Sequence, residues 1–253
     1  LWCFFVETAN MRRYLFVFLS LSCATGLRAQ NVPDTLRWKG EEQSMYSSMA
    51  GYMSIRERMM LTEINRMRSN PALYAEFASV YLAQLEAGLQ APPTDLTLIV
   101  KKEMAPGFYV DDTLRGRRIF EDDIRSTREL IAQLQSIPPL PPLVPDPCLY
   151  RAARAHGSFL QSAGDLSHIG TGGSDIWQRI NSEACFSFSS CAENLVAYRE
   201  SIRQTVLDLL IDAYVPTRIH RKIMLDPGFN KAVCAEAGRV GRYPSAWVMN
   251  LVH

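Results

Sequence analysis

Apolar residues along this chain recur mostly at helical spacing. Met60, Ile64 and Met67 share one face of a segment from about Met45 to Arg68, which predicts an amphipathic helix. Asn70-Pro71 then supplies an N-cap and a first-turn proline. A second helix is expected from Ala72 past Tyr74, Phe77 and Tyr81 to about Ala87, with Gly88 at its end. The pattern returns over Ile124 to Leu134. It returns again after Asp146-Pro147, where Leu149, Ala152, Ala153, His156, Leu160 and Ala163 form one stripe that stops at Gly164. Ser201 to Val215 reads as a further helix ended by Pro216, after which Thr217 is placed to cap a short helix carrying His220. In the tail, apolar residues over 232–234 and 247–252 flank a glycine- and proline-containing stretch, the pattern of a terminal β-hairpin.

Two stretches interrupt this order. Ala91 to Gly116 is broken by Pro92, Pro93, Pro106 and Gly107, and only Leu96 to Val100 looks like a short strand or turn. Ile137 to Pro147 holds six prolines in eleven residues, which forces extended backbone between two helical regions. Leu140, Leu143 and Val144 suit this stretch to packing onto a core.

The chain has 253 residues, 47% apolar and 21% charged, so it supports one globular domain with a substantial core, or at most two. The net charge of +1 excludes nucleic acid as the main partner, because neutralising phosphates needs an excess of Lys and Arg. The amino end stands apart. Met11-Arg12-Arg13, the apolar run Tyr14 to Leu19 and the small-residue end Leu27-Arg28-Ala29 read as an export signal, with residues 1–10 upstream of the true start. Residues 1–29 are therefore expected to be removed, leaving 30–253 as one near-neutral domain, secreted or periplasmic, with no transmembrane segment.

Export places Cys148, Cys185, Cys191 and Cys234 in an oxidising compartment, where two disulfides are expected. Of the three connectivities, the favoured one joins Cys185 to Cys191 and Cys148 to Cys234. A four-cysteine zinc site is disfavoured, since there is no C-x-x-C pair. The histidines are scarce. His156 lies on an apolar stripe and reads as a packed residue with one hydrogen bond, whereas His168 and His220 fall in polar, turn-rich segments with Glu193 between them in sequence. Two neutral imidazoles and a carboxylate can hold Zn with a fourth position left to water. The Gly170 to Ser174 run follows a helix and fits no nucleotide-binding spacing.

Several short motifs now fall into one order. Leu61-Thr62-Glu63-Ile64-Asn65-Arg66-Met67-Arg68-Ser69-Asn70-Pro71, the helix Leu149 to Phe159, Ser167-His168-Ile169-Gly170, Ala192-Glu193-Asn194-Leu195 and His220-Arg221-Lys222 together resemble the CAP superfamily in its bacterial, SCP-like form. That superfamily includes cysteine-rich secretory proteins, insect venom antigens and plant pathogenesis-related proteins. The resemblance covers residues 57–87 and 143–253 and leaves 88–142 as an insertion. It implies an α+β fold, a three-layer α/β/α sandwich with a small antiparallel sheet between helices. It also implies a cleft of two histidines and two acids, taken here by His168, Glu193 and His220, with Asp212 for the fourth place. Ala192 and Ile219 stand where relatives carry glycine.

The implied function is a secreted binding module whose cleft takes Zn or another divalent cation and a lipid, glycan, cell-wall or protein ligand. One alternative is a hydrolase in which Glu193 or a metal-bound water acts as base. Another is an interaction protein that uses the 88–142 insertion as its contact surface.

Overall fold

The computed structural model describes residues 50–90, 97–105, 108–197 and 201–253. The expected leader and the first residues of the first predicted helix lie outside the described residues. In order, the elements are α1 (Ile55–Ser69), α2 (Pro71–Leu89), β1 (Thr97–Ala105), β2 (Phe108–Arg115), α3 (Arg117–Ser136), α4 (Pro147–Ala163), α5 (Ile176–Glu183), β3 (Cys191–Ala197), α6 (Ile202–Ile211), α7 (Ile219–Leu225), β4 (Lys231–Ala237) and β5 (Ala246–Val252). Strands β3, β5 and β4 form an antiparallel sheet in that order, with β5 central.

Alternation along the strands separates two cores. Ala192, Val196, Cys234, Trp247, Met249 and Leu251 pack with α1, α2, α6 and α7, while Cys191, Leu195, Val233, Ala235 and Val248 pack with α4 and α5. The result is an α/β/α sandwich, as the resemblance implies. Trp247 and Leu251 are buried almost completely, each stabilising the fold by on the order of 2 kcal/mol. A third, smaller cluster joins the end of α2 to β2 and α3 through Leu85, Leu114, Ile119, Phe120 and Ile124.

Local signals account for most helix ends. Ser54 accepts from the Glu57 backbone N–H and Glu57 reaches back to Ser54 N at 2.7 Å, a capping box that starts α1 at Ile55. Asn70 and Asp146 cap α2 and α4 as their sequences predict, and Gly164 closes α4 in the left-handed conformation at φ 71°. Two helices depart from expectation. The Ser201 to Val215 helix ends at Ile211 because Asp212 turns left-handed at φ 50°. The short helix after it is capped by Arg218, which makes no side-chain capping bond, rather than by Thr217. The stretch Ala91 to Gly116 contains a full antiparallel hairpin, β1 with β2, where only one strand was expected.

The proline-rich stretch runs across the surface of α1. Asn65 imitates a strand partner: its Nδ2 donates to Leu143 O at 2.8 Å and its Oδ1 accepts from Leu143 N at 2.7 Å. Arg68 is wholly buried and donates to the carbonyls of Pro141, Met224, Asp226 and Phe229. Leu140 and Leu143 are buried, whereas Val144 is 42% exposed and bridges in parallel to Lys231. The polar residues of the first motif are therefore clamps between segments.

The cysteines pair differently from expectation. A single disulfide among the described residues joins Cys148, in the first turn of α4, to Cys185, just beyond α5, with Cα atoms 6.0 Å apart. Sheet alternation separates one expected pair, since Cys234 faces the α1 layer while Cys148 lies in the α4 layer; the other is lost because Cys185 is bonded to Cys148, and Cys191 is buried as a free thiol. Burial pushes the Cys234 thiol pKa up, which keeps it protonated.

Candidate functional site

Glu193 is the third residue of β3, and alternation turns its side chain toward α4 and α5. Three groups meet it there. His168, in the loop after α4, lies with Nδ1 2.9 Å from Oε1, and Arg179 of α5 donates through Nη2 to both carboxylate oxygens at 2.9 and 2.8 Å. His156 of α4 places Nε2 3.7 Å from the same Oε1. Burial alone would raise the Glu193 pKa. The hydrogen bond from His168 and the charges of His156 and Arg179 outweigh it and hold the carboxyl below its ordinary value.

Arg179 ties this side of the molecule together. Its Nη1 donates to His168 O at 2.7 Å and Ser174 O at 2.9 Å, so one guanidinium fixes the glycine-containing loop, the carboxylate and α5 at once. Gly170 is required there, since a Cβ would stand 2.9 Å from both Arg179 Cδ and Ser174 Oγ. The hydrogen-bonding chemistry assigns the rings. An ionised carboxylate only accepts, so His168 donates Nδ1–H and keeps its lone pair on Nε2, which has no partner among the described residues. The His168 side chain is 42% exposed. His156 donates Nε2–H to Ser167 O at 2.8 Å, and burial first, opposed by Glu193, lowers its pKa. It is the packed histidine that its stripe predicts.

Asp212 and His220 form a second pair in the other layer. Asp212 is wholly buried: Oδ1 accepts the His220 Nδ1–H at 2.8 Å, and Oδ2 accepts the backbone N–H groups of His220 at 2.9 Å and Arg221 at 3.4 Å. The carboxylate thereby caps α7 from six residues ahead of the N-cap position, supplying the bond that Arg218 does not. Asp212, Tyr214 and Arg218 all have positive φ, a conformation costing roughly 1 kcal/mol each for residues with a Cβ. The turn is held by Arg218, which donates to Asp212 O and Val215 O and pairs with Glu129. His220 is buried, with its side chain 9% exposed.

Of the four residues expected to share a cleft, the structure thus joins His168 to Glu193 and His220 to Asp212. Among the described residues, no three of these four side chains bring their ligand atoms within 4.8 Å of one another. Glu193 faces the α4–α5 layer, whereas α7, which starts at His220, packs with Ile223 and Met224 in the core on the opposite face of the sheet. Among the described residues, the one trio of potential metal-ligand side chains with atoms all within 4.8 Å is Asp146, Cys148 and Cys185, and both its sulfurs are in the disulfide. Both Glu193 oxygens and both Asp212 oxygens are already engaged. The donors left without a hydrogen-bond partner are two imidazole Nε2 atoms, fewer than the three protein ligands typical of catalytic zinc sites.

Sequence reading missed Arg179. The available signal was Asp175-x-x-Gln178, a capping box just before Ile176, Trp177 and Ile180, which starts α5 and so places Arg179 over β3.

Residues 129–250 match the model of the cysteine-rich secretory protein family, CAP. Over these residues, just under half of the chain, the sequence matches the CAP superfamily. The match includes His168, Arg179, Glu193, Asp212 and His220, and its start lies within α3. Among solved structures, the chain overlays on an extracellular protein containing an SCP domain from Bacillus anthracis with 18% identity and a TM-score of 0.36, covering 53% of this chain and 38% of that one. It overlays on an outer surface protein of Borrelia burgdorferi with 20% identity and a TM-score of 0.38, covering 52% of this chain and 92% of that one. This chain therefore spans well under half the length of the Bacillus protein. No curated protein matches the chain. No helix among the described residues is long and apolar enough to cross a membrane.

Proposed function

We propose that this CAP-domain chain is a secreted binding module that recognises its ligand at His168, with Glu193 and Arg179 holding the imidazole and the Asp212–His220 pair bracing the α6–α7 turn. The observation that carries this reading is the contact of His168 Nδ1 with Glu193 at 2.9 Å, which selects the tautomer. Glu193 fixes Nδ1–H, and Arg179 fixes Glu193, so a half-exposed Nε2 lone pair is held ready without further ordering. Such a group accepts a hydrogen bond from a hydroxyl, amide or ammonium, which suits a glycan, lipid headgroup, cell-wall component or protein. A divalent cation would find only imidazole donors here, so the proposal rests on direct ligand contact. The export-signal pattern before residue 30 and the Cys148–Cys185 disulfide support an oxidising, extracellular or periplasmic setting.

Retention of the purified protein on phospholipid vesicles, on insoluble cell-wall glycan and on whole cells tests this. Retention on one of these, lost in His168→Ala at unchanged melting temperature, is the expected result. Equal retention of His168→Ala, or no retention on any surface, would overturn it.

A further inference from the structure

Between α4, α5 and the loop that joins them lies a pocket of about 190 Å³ that the His168 reading does not use. One wall is the face of α4 carrying Ala152, Ala155, His156 and Phe159. The facing wall is α5, through Arg179, Ser182 and Glu183, and the loop residues Thr171 and Ser174 close one end. Spacings of three and four residues on both helices explain why these side chains converge.

Two polar atoms in these walls are buried and unpartnered. His156 commits Nε2–H to Ser167 O, so its Nδ1 is an acceptor, and that atom has no hydrogen-bond partner. Arg179 commits both Nη groups to Glu193, His168 O and Ser174 O, while its Nε–H, a donor, has none. An unsatisfied buried donor or acceptor costs about 1 to 3 kcal/mol, and here one of each belongs to residues lining the same pocket.

Charge narrows the class of occupant. The Arg179 guanidinium is already matched by Glu193, and Glu183 at the rim is paired with Arg151. No unmatched cation is left to attract an anion, and the Glu183 carboxylate opposes one. The apolar strip of Ala152, Ala155 and Phe159 asks for a C–H face, while the two buried atoms and the Thr171, Ser174 and Ser182 hydroxyls ask for groups that both donate and accept. At about 30 Å³ per liquid water, the volume is worth roughly six waters. It falls below the roughly 300 to 1,000 Å³ of sites for drug-sized molecules.

We infer that this pocket is a second ligand site, which binds a neutral polyhydroxylated ring the size of one monosaccharide. One hydroxyl accepts from Arg179 Nε–H, a hydroxyl donates to His156 Nδ1, and the ring's C–H face lies on Phe159. The inference goes beyond the His168 reading and does not depend on it, although Arg179 serves both sites.

The test is an NMR titration of the full protein with methyl glucoside, following the Arg179 Nε–H resonance, assigned by its loss in Arg179→Lys. A saturable shift is expected. In Ala155→Phe, which fills the pocket from an exposed position, the affinity should fall by at least about tenfold. Ser182→Leu provides the same block from the facing helix should the first variant fail to fold, and His168→Ala should leave the shift intact. No saturable shift, equal affinity in both filled variants, or equal binding of inorganic phosphate at the same resonance would overturn the proposal. Loss of surface retention in His168→Ala with this shift preserved separates the two sites.

Discussion

The molecule contains the same chemical pair twice, a histidine whose Nδ1–H is held by a buried carboxylate, and the two copies are supported in opposite ways. Glu193 is balanced by a guanidinium, and its histidine is half-exposed. Asp212 is balanced by two backbone N–H groups, and its histidine is buried. The first arrangement holds charge beside solvent and leaves a ring nitrogen for use. The second spends the carboxylate on the start of a helix and on a turn with three left-handed residues. A histidine–carboxylate pair therefore does not identify a site by itself; what the remaining carboxylate lone pairs do decides between ligand contact and architecture.

The largest expected effect that sharpens this contrast is Arg179→Met. It leaves Glu193 buried without its guanidinium and should cost about 3 to 5 kcal/mol in denaturant unfolding at neutral pH. The deficit should shrink as pH falls and the carboxyl protonates. If it stays constant with pH, the ion pair is not the source.

Asp212→Ala comes next. Removing a carboxylate that serves neutral N–H groups should cost about 1 to 3 kcal/mol, read as a lower melting temperature, with surface retention intact. A loss as large as that of Arg179→Met would erase the distinction between the pairs.

The smallest effect is a pH dependence carried by His156. Its folded-state pKa lies below the unfolded value of about 6.5, so between the two values the unfolded chain binds more protons. The stabilisation is complete above that value and declines as pH falls through the window, at no more than about 1.4 kcal/mol per unit. Unfolding measured from neutral to mildly acidic pH should show this slope in the native protein and a flatter one in His156→Gln.

Local signals made much of the fold legible. Asn70-Pro71, Asp146-Pro147 and Gly164 act within a turn of their own position, and the structure uses them as their chemistry suggests. Signals that depend on distant partners were not legible. The disulfide follows from the packing of the start of α4 beside the end of α5, and the early stop of α6 follows from an aspartate held left-handed by contacts with α7 and Arg218. The site shows the same division. His168 beside Glu193 follows motif order, while Arg179 becomes visible only once α5 lies over β3.

Arg68 carries a consequence for the order of assembly. Its guanidinium loses water only when carbonyls from residues 73 and up to 161 positions later have closed around it. Such distant closures are slow steps in folding. During synthesis, an emerging chain that has not yet delivered Phe229 leaves this charge wet, so the first helix of the domain is sealed among the last.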